Sequence, residues 1–208
     1  MSDYHEIYKH YEDCLEKHGP NSNLALDWPT IEGMITRYKV MADLIKDKND
    51  CLLLDLGCGT GAFCSYLATH YPNIKYSGAD ISNKFVELCK KKYPKNVFYT
   101  IDLTDVFQAA KVPSYDYIIM NGIFTAKYKL SQEQMFDFLK SMLYPAFAKS
   151  LKGLAFNVMS EHVDCKRDDL FHLSHDQLAN FIVKELKTRN FIFRNDYGLY
   201  EYTTYIYK

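Results

Sequence analysis

Arginine is scarce in this chain. Of 25 basic residues only four are arginine, Arg37, Arg167, Arg189 and Arg194, so the forked grip of a guanidinium on carboxylate or phosphate has few places to occur. An excess of either charge is also missing. The 25 basic and 26 acidic residues leave a net charge of -1, which argues against a general nucleic-acid binder, normally basic or striped with basic residues. The one dense basic run, Cys89 to Lys95, reads as a solvated helix end, where lysines suit the helix dipole. The six cysteines contain no Cys-x-x-Cys pair and no Cys/His spacing of a zinc site; they read as reduced thiols of a cytoplasmic protein. No apolar run approaches membrane-spanning length, and the charged N-terminal segment lacks the apolar core of a signal peptide. Internal repeats and low-complexity tracts are absent as well.

What is present is an alternation. At 208 residues the chain suits one domain, with residues 1–48 as an N-terminal helical lid and 49–208 as an α/β core. Helices are expected over residues 3–18 and 30–46, the second opened by Pro29. Strands follow at 51–56, 75–80, 96–101, 115–121 and 153–159, separated by helices near 61–69, 83–92, 104–110 and 131–149. After a loop from Ser160 to His172 come a helix over 174–187 and a hairpin of strands 191–196 and 201–207. This pattern predicts a doubly wound, mostly parallel seven-stranded sheet with an antiparallel C-terminal strand. Ligands of such sheets bind outside the carboxyl ends of the strands, where the strand order reverses.

The loop after the first strand is Gly57-Cys58-Gly59-Thr60-Gly61. The dinucleotide fingerprint G-x-G-x-x-G places its third glycine one position later, and Asp55 before the loop would repel a pyrophosphate. A carboxylate there suits an ammonium or sulfonium. Asp80 ends the second strand, where it can accept both hydroxyls of a ribose. Asp102 ends the third, placed for the exocyclic amine of an adenine. S-adenosylmethionine has all three parts and no phosphate. A nicotinamide-dependent oxidoreductase and a non-catalytic S-adenosylmethionine-binding module are the alternative readings.

The segments LLLDLGCGTG, YSGADIS, TIDLTD and YDYIIMNGIF resemble the successive motifs of class I S-adenosylmethionine-dependent methyltransferases. The flanks HGPNSNLALDW, FNVMSEHVDCKRDDLFHLSHDQLANFI and RNDYGLYEYTTYIYK are similar to a small bacterial methyltransferase family encoded with surface-polysaccharide genes, some members of which are associated with O-methyl phosphoramidate decoration of capsules. The resemblance implies that Asp55, Gly57, Gly59 and Gly61 line the methionine end of the cofactor. It implies that Asp80 holds the ribose beside Ile81, that Asp102 and Leu103 meet the adenine edge, and that Asn121 and Gly122 lie near the transferring methyl. Arg37 is a candidate partner of the cofactor carboxylate or a surface arginine. Trp28 is a lid residue or an anchor of the N-terminal arm.

Methyl transfer is an in-line displacement in which the protein mainly supplies alignment. A hydroxyl acceptor needs a base for its proton; an anionic oxygen needs cationic anchoring. The segment Asn121-Gly122-Ile123-Phe124 lacks the prolines of nucleic-acid base methyltransferases, and Asn121 is a weak ligand where metal-dependent enzymes carry an acid, so no metal is expected. After the fifth strand, His162 is the candidate base with Asp164 to orient it, and His172 is the second candidate. Lys127, Lys166 and Arg167 are candidate anion binders. Phe124, Tyr197, Tyr200 and Glu201 are candidates for shaping the acceptor pocket. The expected partner is a small-molecule acceptor, a sugar- or phosphate-containing precursor of a surface polysaccharide, with no nucleic acid and no membrane, the protein being a monomer or homodimer.

Overall fold

The computed structural model describes residues 4–208. Helices α1 (His5–His18) and α2 (Ile31–Asp43) flank a 3-10 turn (Asn23–Leu26). The chain then runs β1 (Leu52–Leu56), α3 (Ala62–His70), β2 (Lys75–Asp80), α4 (Asn83–Lys92), β3 (Val97–Thr100), α5 (Val106–Lys111), β4 (Tyr115–Phe124), α6 (Gln132–Lys149) and β5 (Ser150–Ser160). It ends with β6 (His172–Leu173), α7 (His175–Lys184), β7 (Phe191–Arg194) and β8 (Glu201–Tyr207). Residue 3, where the first helix was expected to start, lies outside the described residues.

The sheet order is β3-β2-β1-β4-β5-β8-β7. Strands β1 to β5 pair in parallel, and β8 runs antiparallel between β5 and β7. The order therefore reverses between β1 and β4, which places the crevice expected of a doubly wound sheet at their carboxyl ends. Among the described residues the sheet has eight strands rather than seven. The extra one, β6, pairs in parallel with Met159 and Ser160 and is too short to show any alternation in the sequence.

Polar residues set several boundaries. Thr30 caps α2 by accepting from Gly33 N–H at 3.0 Å, and Ser131 with Gln134 forms a reciprocal capping box on α6. Two apolar clusters sandwich the sheet. One gathers α6, α7 and residues such as Leu54, Ile118 and Phe156. The other gathers α2 and α3 with Leu53, Ile119 and Ala155. Tyr38, Met41 and Ala42 of α2 are buried there, so α2 is a core layer, while α1 and the 3-10 turn border the crevice at the carboxyl ends of the strands. Ion pairs from Lys84 to Glu12 (3.1 Å) and Glu16 (2.6 Å) fix α1 to α4. On α1 itself, Cys14 Sγ lies 3.3 Å from His10 Nε2, which is 3.2 Å from Asp27 Oδ2 just after the turn.

Candidate functional site

The loop after β1 is left-handed at Gly57, Gly59 and Gly61. At Gly59 (φ +50°) a Cβ would come within 2.5 Å of Leu26 of the 3-10 turn, so any side chain would both strain the loop and push the cover away. The loop is braced by Asp80. Its Oδ2 accepts from Gly59 N–H at 3.0 Å and its Oδ1 from Ser82 N–H at 2.9 Å. Each oxygen keeps further lone-pair capacity for ligand hydroxyls. Asp55 is 3% exposed and accepts from the Tyr76 hydroxyl at 2.7 Å.

Burial pushes the Asp55 carboxyl up to about 7, against the lowering hydrogen bond from Tyr76 and with the help of nearby Asp80. Burial pushes Asp80 up to about 6, opposed by its backbone N–H donors. Two carboxylates deprived of water and short of positive partners suit a cationic ligand group. The affinity for S-adenosylhomocysteine, which carries an ammonium, is expected to rise several-fold from pH 6 to 7.5 as these groups ionise, with proton release visible in buffer-dependent calorimetric heats. A flat affinity over that range would separate the two carboxylates from the ligand.

Asp102 is committed more fully than the sequence suggested. Its Oδ2 accepts from the Tyr4 hydroxyl at 2.7 Å, and its Oδ1 accepts from Thr104 N–H at 2.9 Å and from the Thr104 hydroxyl at 2.7 Å. Within β4, Asn121 presents a buried Oδ1 that has no hydrogen-bond partner, which is costly unless a ligand supplies one.

Of the candidates from the sequence, Trp28, Asp55, Gly57, Gly59, Asp80, Ile81, Asp102, Leu103, Asn121 and Gly122 line a single cavity. Tyr4, at the N-cap of α1, and Ile7, Tyr8 and Tyr11 of α1 line it too. Their i, i+3, i+4, i+7 spacing marks one helical face, a signal present in the sequence but not connected there to the site. Ile123, Phe138 and Met142 complete an apolar wall.

The other candidates stand elsewhere. Gly61 packs under Tyr93, which a Cβ would approach to 2.6 Å. Arg37 is engaged by Glu201 rather than open to a ligand carboxylate. Phe124 is fully buried in the core against Phe138 and Phe156. The His162 ring faces His175 at 6.0 Å, and His175 stacks on Tyr202 at 4.1 Å. Asp164 accepts from the Tyr200 hydroxyl at 3.1 Å, so these two residues serve each other rather than a base or an acceptor. Arg167 is paired with Asp169, Lys166 with Glu161, and Lys127 donates to Leu130 O at 3.2 Å. His172 is a structural pin, with Nδ1 2.6 Å from Ser160 O and Nε2 accepting from Arg167 N–H at 3.3 Å.

The cause is one unforeseen set of pairings. β6 joins β5, and residues 167–171 are clasped to the segment after β4, with Phe171 N–H to Thr125 O and Lys127 N–H to Asp169 O both at 2.9 Å. The loop after β5 thereby spends Glu161, Lys166, Arg167 and Asp169 on its own fold.

A methyltransferase-domain model matches residues 54–145. A Mycobacterium tuberculosis protein, Rv1506c, named as a methyltransferase without an acceptor, is 29% identical over 74% of this chain and 91% of its own length. Malonyl-[acyl-carrier protein] O-methyltransferase 1 of Ilyobacter polytropus is 28% identical over 62% of this chain, which spans only 49% of that enzyme. Among solved structures, magnesium protoporphyrin IX methyltransferase of Synechocystis PCC 6803 with bound S-adenosylmethionine aligns over 100% of this chain and 94% of its own, with a TM-score of 0.63 at 15% identity. This is the S-adenosylmethionine-dependent methyltransferase fold. S-adenosylmethionine is the cofactor of that fold, and the lining here fits such a group: buried carboxylates at Asp55 and Asp80, a left-handed glycine loop, and a buried Asn121 Oδ1 without a hydrogen-bond partner. The nicotinamide alternative gains nothing from the geometry, because Asp55 sits beside the loop where a pyrophosphate would have to lie.

Proposed function

We propose that the protein moves the methyl group of S-adenosylmethionine to a hydroxyl of a small neutral acceptor, such as a sugar unit of a bacterial surface polysaccharide. The observation that carries the hydroxyl is the cavity wall. Among the described residues no lysine, arginine or histidine lines it, while tyrosines, apolar side chains and Asn121 do. A phosphorylated acceptor would be buried without a counter-ion, at considerable cost. A hydroxyl can donate to the Asn121 Oδ1, which fixes its oxygen for in-line attack. As the new O–CH3 bond forms, the methyl–sulfur bond breaks to leave S-adenosylhomocysteine. The hydroxyl proton passes to water, since no histidine or lysine of the described wall takes it. The O-methyltransferase name of one relative supports oxygen as the acceptor atom, and the likeness of the flanks to polysaccharide-associated methyltransferases supports a sugar.

Methyl-labelled cofactor offered with neutral glycosides on one side, and sugar phosphates and phosphoramidates on the other, tests this reading. Label is expected on a neutral hydroxyl. Label found only on phosphate oxygens would overturn the acceptor class, and failure of S-adenosylhomocysteine to bind at millimolar concentration would overturn the cofactor.

A further inference from the structure

The pairing of β4 with β5 breaks between Met120 and Phe124, and Gly122 lies in the break with φ +87°. Its N–H, displaced from the ladder, donates instead to the side chain of Asn157 on β5, at 2.8 Å from Oδ1. Asn157 is fully buried, and its Nδ2 donates at 3.0 Å to Glu201 Oε1 at the start of β8. Glu201 is 1% exposed. Its Oε2 receives Arg37 of α2 through Nε at 2.9 Å and a second guanidinium nitrogen at 2.8 Å. The guanidinium carbon lies 4.4 Å from the centroid of the Trp28 ring. The far edge of that ring rests on Gly122, where a Cβ would be 2.8 Å from it. The circuit closes on the residue where it began.

Three features make this circuit more than packing. A buried carboxylate–guanidinium pair is poor value as stability alone, since apolar replacements of similar volume often do as well or better. Both carboxylate oxygens of Glu201 and both polar ends of the Asn157 amide are satisfied within the circuit, so the arrangement has a single low-energy form. Two of its members, Trp28 and Gly122, line the cavity beside Asn121.

We infer that Arg37, Glu201 and Asn157 are positioning residues for methyl transfer: they lock the Trp28 ring onto the Asn121–Gly122 turn and so hold the acceptor end of the site in register with the cofactor end. Arg37 then acts through Trp28, not as a ligand of the cofactor carboxylate. The inference rests on the methyltransferase reading only for where the methyl group lies.

Trp28 is the only tryptophan of the chain, so its fluorescence reports the lock directly. In Glu201→Gln, which preserves shape but removes the charge and one acceptor, acrylamide quenching of Trp28 is expected to increase at least twofold at a temperature well below the melt. The dissociation constant for S-adenosylhomocysteine is expected to rise about tenfold, the scale of one hydrogen bond to a charged group. Arg37→Lys, which keeps the charge but loses the planar stack, is expected to do the same more mildly, and it serves if Glu201→Gln folds poorly. In a Trp28→Phe background the effect of Glu201→Gln on binding is expected to shrink, because Phe has already given up most of the cation–π contact. Unchanged quenching and binding in a variant whose melting point alone falls would reduce the circuit to a structural pair. A full tenfold effect persisting in Trp28→Phe would return Arg37 to direct contact with the cofactor. If the parent does not bind S-adenosylhomocysteine at all, the function fails while the quenching result still decides the lock.

Discussion

Asp55→Asn is expected to weaken cofactor binding by about a hundredfold or more while making the cofactor-free protein more stable. Both effects follow from a carboxylate that is 3% exposed and held up at about 7. An unfolded aspartate titrates near 3.9. Between those values the folded protein holds a proton that the unfolded chain has released. This stabilising contribution is complete below the unfolded value and is lost as pH rises through about 7. At pH 8 the ionised, desolvated Asp55 therefore costs stability, on the order of 1–4 kcal/mol. Asn keeps an acceptor for the Tyr76 hydroxyl and removes the charge. The melting temperature at pH 8 should rise by a few degrees, at about 2–4 °C per kcal/mol for a chain of this size, and its decline between pH 5 and 8 should flatten. Binding moves the other way, because truncating one partner of a buried charge pair costs about 2–5 kcal/mol. Thermal melts across that pH range and calorimetry with S-adenosylhomocysteine check the pair of effects. A variant that is less stable at pH 8, or that binds as tightly as the parent, would contradict the assignment.

Asp80→Ala is expected to raise the dissociation constant for S-adenosylhomocysteine by about ten- to a hundredfold through lost hydrogen bonds to the ribose hydroxyls. It should lose still more through the loop. The Asp80 carboxylate accepts from Gly59 and Ser82 N–H, and Ala leaves both donors unpaired in a buried place. Asp80→Asn retains an acceptor oxygen for one of them, so its binding should fall between the parent and the Ala variant. The two substitutions thus separate ribose recognition from loop bracing. Parent-like affinity in Asp80→Ala would remove Asp80 from the site.

The cofactor end of the site was legible because its residues are set by short-range rules. A strand that ends in an acid and runs into glycine must present that acid and that loop at one edge of a parallel sheet, whatever the rest of the chain does. Asp55, Gly59 and Asp80 accordingly meet in the cavity. The acceptor end was less legible. His162 and Arg167 follow β5 as expected, yet a two-residue strand and the clasp between 125–128 and 167–171 turn them outward, and neither pairing leaves a periodic trace in the sequence. The tyrosines of α1 were visible as an apolar face, but which surface that face covers is a tertiary matter.

By itself the sequence determined the alternation of strands and helices, the point where the sheet order reverses, and which acids and glycines stand at the strand ends, since periodicity, glycine placement and charge are local properties. Only the tertiary structure decided which side chains surround Asn121 and Gly122. Gly122 meets Asn157 across 35 residues, Asn157 meets Glu201 across 44, and Glu201 meets Arg37 across 164. Each of those residues has an ordinary local role of its own. The circuit exists only because sheet order brings β4, β5 and β8 side by side beneath α2, where burial removes the water that would otherwise satisfy Glu201 and leaves Arg37 and Asn157 as its partners.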